Sequence, residues 1–308
     1  MINVQLAFLT ACLGDRSLDR IAHWAAGNGY DALEIAAWPG HSREHTANHL
    51  DVAHLDQRLV DETRALLALH GLGISAISYY DNNLHPDEAE RHRVHEHLRA
   101  CVRAAAELDV GCVGTFVGRD PGKTVSENQH IAARVLTPLT KYAAEHGVAL
   151  AVENCPMPGW HPDGYPGNLA YSPELWDWMF ELGFHLNYDP SHLVWLGIDP
   201  VTAISRYGDR IAHVQAKDTQ VHHDRIDRYG VYGRATERVD PWDSGWWTYR
   251  VPGLGDIDWT RVVDALHVAG YSGAVAVEHE DPVWSGTEDR VLTGLRIARD
   301  TLRPMVRP

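Results

Sequence analysis

Short apolar runs alternate with longer amphipathic stretches along the chain, and glycine, proline and polar residues separate them. The short runs are rich in alanine, valine, leucine and isoleucine, which is typical of parallel strands buried on both faces. The longer stretches place apolar residues three and four apart, as at Val94, Leu98 and Cys101, which predicts helices with one buried face. The pattern therefore predicts strands and helices in regular alternation.

Eight strand–helix units can be counted along the chain. The predicted strands are residues 4–9, 32–37, 74–79, 112–117, 148–153, 185–188, 211–216 and 274–277. A first helix begins after Ser17 as its N-cap, and a short fifth helix begins at Ser172-Pro173-Glu174. The other predicted helices cover about residues 55–70, 86–108, 125–146, 200–207, 258–269 and 288–302.

Eight alternating units without a break in composition predict an α/β fold, a single (β/α)8 TIM barrel over residues 1–308, because such a barrel needs roughly 250 residues. An open doubly wound sheet is the alternative. It is disfavoured because no G-x-G-x-x-G or phosphate-loop pattern follows the early strands.

A long segment, residues 219–256, separates the seventh strand from the next helix. Loops of this length inside a compact fold usually have a function, so we expect it to cover the rim at which that strand ends. Trp246, Trp247 and Arg250 would form a lid that stacks on a sugar, or would make contacts between subunits. The aromatic and basic residues of this segment are Tyr229, Tyr232, Trp242, Trp246, Trp247, Tyr249 and Arg250.

The overall charge excludes some classes of function. The net charge is −15 with neutral histidines, so the surface should repel nucleic acid. The sequence contains no apolar run near ~20 residues and does not begin with a basic region followed by an apolar one, so we expect neither a membrane span nor a leader. The four cysteines show no metal or redox spacing, and we expect a soluble, cytoplasmic protein with reduced thiols.

Two predicted strands end in the same way, with a glutamate that follows alternating small residues. Glu153 ends the fifth strand and Glu278 follows the eighth. Because side chains alternate across a strand, each glutamate shares a face with alanines while valines and leucine take the opposite face. Both carboxylates are therefore expected inside the barrel at its open rim. Glu34 in the second strand also shares a face with alanines. We expect its side chain to lie inside the barrel and to contact the residues that line the site, without binding the ligand itself.

The sixth and seventh strands add polar residues to the same rim. Asp189 follows the sixth strand and His192 stands three residues later, while His213, Gln215 and Lys217 share one face of the seventh. Buried polar groups are costly without partners, so such a ring implies a ligand, an ion or dense hydrogen bonding. A network of salt bridges among these side chains is the alternative.

Glu153, Asp189 and Glu278 would bring three negative charges close together. Their repulsion would be severe unless protons or a divalent cation intervened. Mostly oxygen ligands suit Mn²⁺ or Mg²⁺, whereas zinc sites are often built from thiolates. The residues therefore favour a divalent cation at this rim, with protons on the acids or salt bridges to Lys217, His213 and His192 as the alternatives.

Four motifs appear in order at the ends of the last four predicted strands: VEN, DPSH, HV-x-AKD and VEHED. In this order they resemble the sugar isomerase/epimerase superfamily. These xylose-isomerase-like TIM barrels include ketose epimerases, hydroxypyruvate isomerases, inosose dehydratases and endonuclease IV. The resemblance spans nearly the whole chain, because each motif falls at the end of an expected strand.

The resemblance implies one divalent metal, Mn²⁺ or Mg²⁺ with Co²⁺ or Zn²⁺ as alternatives, held by Glu153, Asp189, Glu278 and a residue of the seventh strand. Relatives commonly have a second histidine in that strand where this chain has Gln215. Since a glutamine carbonyl can bind a hard cation, we expect Gln215 to be the fourth ligand, with His213 as the substitute.

The resemblance also implies substrate contacts. His192 matches a substrate-contacting position of the epimerases, whereas Val221 stands where ketose epimerases have an arginine, which disfavours a ketohexose substrate. The further residues expected to bind substrate are His213, Lys217, Trp247 and Arg250. The combination of AKDT, WWTYRVPG and EHEDPVW resembles a bacterial subgroup of sugar isomerases/epimerases and the large subunits of C-glycoside deglycosidases.

The expected function is proton abstraction from a carbon next to the carbonyl of a keto sugar or sugar derivative, with Glu153 and Glu278 taking and returning the proton. Loss of a β-substituent at the same site would make the enzyme a lyase, either a dehydratase or a deglycosidase of 3-oxo-glycosides. We expect a homo-oligomer with a small-molecule sugar as substrate; a small partner subunit is implied if the chain is deglycosidase-like.

Two other classes of function remain as alternatives. A nuclease like endonuclease IV needs several zinc ions and a basic groove, which the negative charge disfavours. A noncatalytic sugar-binding barrel is favoured by Gln215, because that residue departs from the usual metal ligand.

Overall fold

The computed structural model describes residues 4–40, 47–161, 164–231 and 244–306. Eight parallel strands close into a barrel, and two more pair antiparallel beside it. In chain order the strands are β1 Gln5–Leu9, β2 Ala32–Ala36, β3 Gly73–Ser78, β4 Cys112–Thr115, β5 Ala149–Glu153, β6 His185–Tyr188, β7 Ile211–Ala216, β8 Asp218–Val221, β9 Trp247–Arg250 and β10 Ala274–Val277. The barrel consists of β1 to β7 and β10, so the predicted (β/α)8 fold is confirmed.

Helices follow the barrel strands on the outside. In chain order they are α1 Leu18–Gly27, α2 Gln57–His70, α3 Glu88–Glu107, α4 Val125–Val135, α5 Thr137–Glu145, α6 Pro173–Glu181, α7 Pro190–Trp195, α8 Pro200–Tyr207, α9 His223–Tyr229, α10 Trp259–Val268 and α11 Glu288–Leu302. Four short 3-10 helices supplement them at Thr10–Leu13, Val52–His54, Pro158–Trp160 and Gly208–Arg210. Within the described ranges, no helix is both long enough and apolar enough to cross a membrane.

The helix predicted over residues 125–146 is wrong as a single element. The chain forms α4 and α5 with a break at Leu136, and Pro138 lies in the first turn of α5. Proline has no backbone N–H to donate to the preceding turn, and its ring clashes with the carbonyl four residues earlier. A continuous helix therefore cannot pass through this position.

Small side chains fill the lower interior of the barrel. Alanines of β1, β2 and β10 form one buried cluster, and Ala76, Cys112 and Ala151 form a second. The larger valines, leucines and isoleucines of the same strands face outward and belong to the main core with the helices. The predicted alternation is thus observed, and it places the polar residues of the strand ends inside the barrel at its carboxyl rim.

The segment between β7 and α10 is more ordered than the predicted loop. Strands β8 and β9 pair antiparallel, with Asp218 opposite Arg250 and Val221 opposite Trp247. Residues 232–243, which include Tyr232 and Trp242, lie outside the described residues. The β8–β9 sheet places the side chains of β9 against the rim of the barrel.

The carboxylate of Asp218, at the start of β8, binds the segment that follows β9. Asp218 is fully buried, and four N–H groups donate to it. The donors are the backbone amides of Thr219 (2.8 Å), Gly253 (2.9 Å) and Ile257 (3.1 Å) and the indole of Trp259 (3.0 Å). Asp218 therefore ties the start of β8 to the start of α10.

Acidification is expected to destabilise the fold through buried His95, whose Nε2–H donates to Asn83 O at 2.9 Å. Burial lowers the pKa of His95 below its usual 6.5. As the pH falls through about 6.5, the unfolded chain gains a proton that the folded chain does not, so the free energy of unfolding falls by up to about 1.4 kcal/mol per pH unit.

Urea unfolding between pH 7 and pH 5 measures this effect. The His95→Gln chain should show a shallower pH dependence than the wild type, because it lacks this proton uptake. The exposed residue His130 provides the matched control, His130→Gln. Equal changes in the two variants would contradict the assignment to His95.

Candidate active site

Three carboxylates meet at the carboxyl rim of the barrel. Glu153 ends β5, Asp189 follows β6 and Glu278 follows β10. One carboxylate oxygen of each lies within 4.8 Å of the others, and both Glu153 and Asp189 are buried. The structure therefore brings together the three acids that the sequence selected.

Asparagine side chains hold the strand ends that carry these acids. Asn154 donates to Asp189 O and accepts from Asp189 N, each at 2.8 Å, which ties the end of β5 to the end of β6. Asn168 donates to the carbonyls of Glu153 (3.1 Å) and Cys155 (2.8 Å). These buried bonds fix the backbone behind Glu153 and Asp189.

His192 lies one turn into the short helix α7, which the sequence analysis did not predict. Asp189 caps this helix by accepting from Ser191 N at 2.8 Å. His192 Nε2 lies 3.0 Å from Glu153 Oε1 and 3.1 Å from Asp189 Oδ2. Because a carboxylate only accepts, the hydrogen on His192 must be at Nε2 for these contacts to stabilise the site.

Lys217 lies among the acids rather than beside them. Its Nζ is 2.7 Å from Glu278 Oε2, 3.2 Å from Asp189 Oδ2 and 3.8 Å from Glu153 Oε1, and a fourth carboxylate, Glu280, has Oε2 at 3.3 Å. Burial disfavours the charged amine, but these carboxylates raise the pKa of Lys217 well above its usual value. An ammonium thus neutralises part of the acidic cluster.

The acids differ in their tendency to hold a proton. Burial raises the pKa of Glu278 well above its usual value, against the opposing charge of Lys217. Burial also acts on Asp189, but the charges of Lys217 and His192 hold the pKa of that carboxyl below its usual range. Glu278 and Asp189 therefore differ, because burial favours the protonated form of Glu278 while neighbouring positive charges keep Asp189 ionised.

Gln215 lies deeper in the barrel with a fixed orientation. Its Nε2 donates to Glu34 Oε1 and to Tyr80 Oη, both at 3.0 Å, while Gln215 Oε1 is buried without a hydrogen-bond partner among the described residues. Glu34 Oε1 also accepts from Ser78 and Tyr80. Since these bonds hold the amide nitrogen toward Glu34, the carbonyl oxygen faces the other way.

Glu34 is fully buried, as expected from its place in β2. Burial, with a smaller contribution from the charge of Glu153, raises the pKa of Glu34 to about 7, against the hydrogen bonds that it accepts. The sequence analysis expected Glu34 to support the site from behind, and the structure shows its contact with Gln215.

His213 does not contact the three acids. Its Nδ1 lies 3.0 Å from Asn187 Oδ1 and its Nε2 lies 3.2 Å from Ser75 Oγ, below the layer of Gln215. Burial lowers the pKa of His213 to about 3, so the ring is neutral. Both of its nitrogens are engaged, which favours Gln215 over His213 as the fourth ligand.

The two residues of β9 predicted to bind substrate face neighbouring side chains. Trp247 is 6% exposed and stacks on Trp195, with ring centroids 4.5 Å apart and an interplanar angle of 8°. Arg250 donates to Asp281 (2.9 Å) and to Gln220 (3.0 Å). The rings of Trp246 and Trp247 are both buried, and substrate binding by Trp247 and Arg250 stays a prediction.

Tyr249 is the residue of β9 that reaches the site. Its hydroxyl lies 2.9 Å from His192 Nδ1, and Lys217 Nζ lies 4.7 Å from the centre of its ring. The sequence analysis named Tyr249 only as one of several aromatics. The alternation of side chains in WTYR could have separated it from Thr248 and Arg250, but only the pairing of β8 with β9 places it over His192.

The donor atoms fit a divalent cation. Gln215 Oε1 is buried and lacks a hydrogen-bond partner within the described part of the chain, and one carboxylate oxygen each of Glu153, Asp189 and Glu278 lies within 4.8 Å of the others. Carboxylate and amide oxygens are the ligands that Mg²⁺ and Mn²⁺ prefer. Glu153, Cys155 and His192 form a second group within 4.8 Å, whose sulfur and nitrogen atoms would suit zinc better.

Comparison with known proteins agrees with this architecture. The sequence profile of a family described as xylose isomerase-like TIM barrel matches residues 22–301. The chain belongs to the xylose isomerase-like TIM barrel family. The resemblance inferred from the four strand-end motifs is thereby confirmed.

Sequence relatives within the xylose isomerase-like family include proteins with and without a stated activity. An uncharacterized protein of Bacillus subtilis, YfiH, is 27% identical over 97% of this chain and 99% of its own length. The inosose dehydratase of Lacticaseibacillus casei is 36% identical over 101 residues, which are 32% of this chain and 31% of the dehydratase. The chain thus aligns with about a third of that enzyme.

Solved structures share the whole fold. The D-psicose 3-epimerase of Clostridium cellulolyticum H10, solved with D-tagatose, has a TM-score of 0.69 at 17% identity and covers 99% of this chain and 100% of its own. The IOLI protein, solved with a bound zinc atom, has a TM-score of 0.69 at 19% identity and covers 98% of each chain. At these identities the likeness concerns the fold.

Proposed function

We propose that this member of the xylose isomerase-like family is a sugar isomerase or epimerase that requires one divalent cation and acts by proton abstraction next to a carbonyl. The observation that carries the proposal is the convergence of Glu153, Asp189 and Glu278 at one rim, with the unpaired carbonyl oxygen of Gln215 in the layer below. Three carboxylates at such separations, two of them buried, need positive charge to remain ionised.

Glu153, Asp189, Glu278 and Gln215 are the residues that would hold the cation. When bound, Mn²⁺ or Mg²⁺ would polarise the substrate carbonyl and so favour loss of the neighbouring proton. Zn²⁺ is an alternative, since the IOLI protein was solved with zinc.

The side chains around the acids have defined tasks in this proposal. Glu278 accepts the proton from one face of the substrate, and Glu153 serves the other face. His192 donates from Nε2 to Glu153 and keeps its carboxylate oriented. Lys217 and Tyr249 close the side of the site that the β8–β9 sheet covers.

A dehydratase is the second candidate function. The inosose dehydratase of Lacticaseibacillus casei is 36% identical over a third of its length, which favours this reading. One acid would first remove the proton next to the carbonyl, and the protonated acid would then give that proton to a β-hydroxyl, which leaves as water while the carbon–carbon double bond forms. The two functions differ in the fate of the intermediate and not in the residues that form it.

Proton exchange in D₂O tests the proposal. The Mn²⁺-loaded chain is incubated with ketohexoses, inososes and 3-oxo-glycosides, and deuterium uptake is followed by NMR. We expect uptake at the carbon next to the carbonyl of at least one substrate; a new stereoisomer identifies an epimerase and a shift in absorbance from an enone identifies a dehydratase. Absence of exchange with every substrate would contradict the proposal.

Glu34→Leu is expected to weaken Mn²⁺ binding by about tenfold, because the Gln215 amide loses the acceptor oxygen that fixes its orientation. Isothermal titration of the purified chain measures this change. Glu145→Leu, which alters an exposed glutamate at the end of α5, is the matched control. If Glu34→Leu binds Mn²⁺ as tightly as Glu145→Leu, then Gln215 is not a ligand whose orientation Glu34 controls.

A further inference from the structure

Lys217 occupies the space in which the proposed cation would bind. Its Nζ contacts both Asp189 Oδ2 (3.2 Å) and Glu278 Oε2 (2.7 Å), and the side chain is 3% exposed. The oxygens of the three acids lie within 4.8 Å of one another, so a cation that contacts all of them lies between them. An ammonium and a divalent ion would repel each other there. Binding of the metal therefore requires Lys217 to move.

Glu280 offers the displaced ammonium a partner. Glu280 Oε2 already lies 3.3 Å from Lys217 Nζ, and this carboxylate does not belong to the group formed by Glu153, Asp189 and Glu278. Its side chain is 35% exposed, against 13% for Glu278, so it marks the solvent side of the cluster. A small rotation of the flexible lysine stem would keep this contact while releasing the other acids.

We propose that Glu280 is a positioning residue that retains the Lys217 ammonium when a divalent cation binds, so that Lys217 and the metal exchange places at the acids. The inference rests on the proposed function, because it assumes the same metal site. In the metal-free protein Lys217 offsets the charge of the acids; in the loaded protein it is held at the rim by Glu280, where it can meet a substrate hydroxyl.

Charge explains why Glu280 is needed for the exchange. A buried ammonium without a counter-ion is strongly disfavoured, and more so beside a divalent ion. With Glu280 present, the lysine keeps one carboxylate while the metal takes the other three. The ring of Tyr249, 4.7 Å from Nζ, offers the ammonium a second favourable contact.

A double-mutant cycle of Mn²⁺ affinity tests the proposal with the full-length chain. Isothermal titration compares the wild type, Lys217→Met, Glu280→Gln and the double variant. We expect Lys217→Met to tighten Mn²⁺ binding by about tenfold, because the competitor is gone, and Glu280→Gln to weaken it by about tenfold. The double variant should match Lys217→Met, since Glu280 acts only through the lysine.

Reductive methylation of lysines, read by mass spectrometry, provides a measurement that does not depend on Lys217→Met being folded. Buried Lys217 should be protected in the metal-free wild type and should react at least about threefold faster once Mg²⁺ is added, because its ammonium moves to the rim. Glu280→Gln should abolish this metal-dependent change.

The outcomes separate the exchange from the proposed function. Equal weakening by Glu280→Gln in the wild-type and Lys217→Met backgrounds would show that Glu280 acts directly on the cation, and would overturn the exchange while leaving the metal site intact. The exchange would also be overturned by an unchanged Mn²⁺ affinity in Lys217→Met. A methylation rate of Lys217 that does not change when Mg²⁺ is added would overturn it as well. A wild type that binds no metal and exchanges no substrate deuterium would instead refute the proposed function.

Discussion

Glu278→Gln is expected to lower the rate of deuterium exchange into the substrate by roughly 10³-fold. Glu278 follows β10 at the rim, where its carboxylate lies beside those of Glu153 and Asp189. A glutamine keeps the size and an oxygen for the cation but cannot carry the proton. Glu153→Gln should have a loss of similar size for the exchange on the opposite face of the substrate.

Metal affinity must be measured on the same variants, because a glutamine is also a weaker ligand. At saturating Mn²⁺ the exchange should remain low, which separates proton transfer from metal loss. Glu145→Gln controls for the change of one carboxylate elsewhere. Wild-type exchange rates in metal-saturated Glu278→Gln and Glu153→Gln would exclude these acids as the groups that move the proton.

Asp218→Ala is expected to lower the free energy of unfolding by about 3 kcal/mol. Four N–H groups, including the indole of Trp259 and the amide of Gly253, would lose a buried acceptor. Burial raises the pKa of Asp218, and these four hydrogen bonds oppose that shift. The packing around this carboxylate is close, since a Cβ added at Gly255 would collide with Asp218 Oδ1.

Urea unfolding measures the loss, and Asp224→Ala, at an exposed aspartate in α9, is the control. Because Asp218 fastens the β8–β9 sheet that carries Tyr249, the Asp218→Ala chain should also be cut faster by trypsin between β7 and α10. A decrease below about 1 kcal/mol would show that the sheet is held by other contacts.

The barrel could be predicted from sequence because its signals are local. Strands β6, β7 and β10 and helix α11 have the predicted bounds, since each begins and ends at a change from apolar to polar or turn residues. The alternation of side chains along each strand then placed Glu153, Asp189 and Glu278 on inner faces at one rim. The break between α4 and α5 was also signalled, by Pro138, but the strong apolar period around it concealed the interruption.

The remaining features of the site depend on non-local contacts. Pairing of β8 with β9 joins residues about thirty positions apart and brings Tyr249 over His192. The position of Lys217 among four carboxylates follows from three-dimensional charge balance, which neither spacing nor hydropathy reports. Likewise, the orientation of Gln215 is set by Glu34 on a distant strand.

Elemental analysis of the purified chain after dialysis against Mn²⁺ tests most directly whether the three acids hold a catalytic cation. We expect about one Mn²⁺ per wild-type chain and almost none in Asp189→Asn, with deuterium exchange present in the first and absent in the second. A wild-type chain stripped of metal by a chelator that still exchanged substrate protons at the full rate would contradict the account.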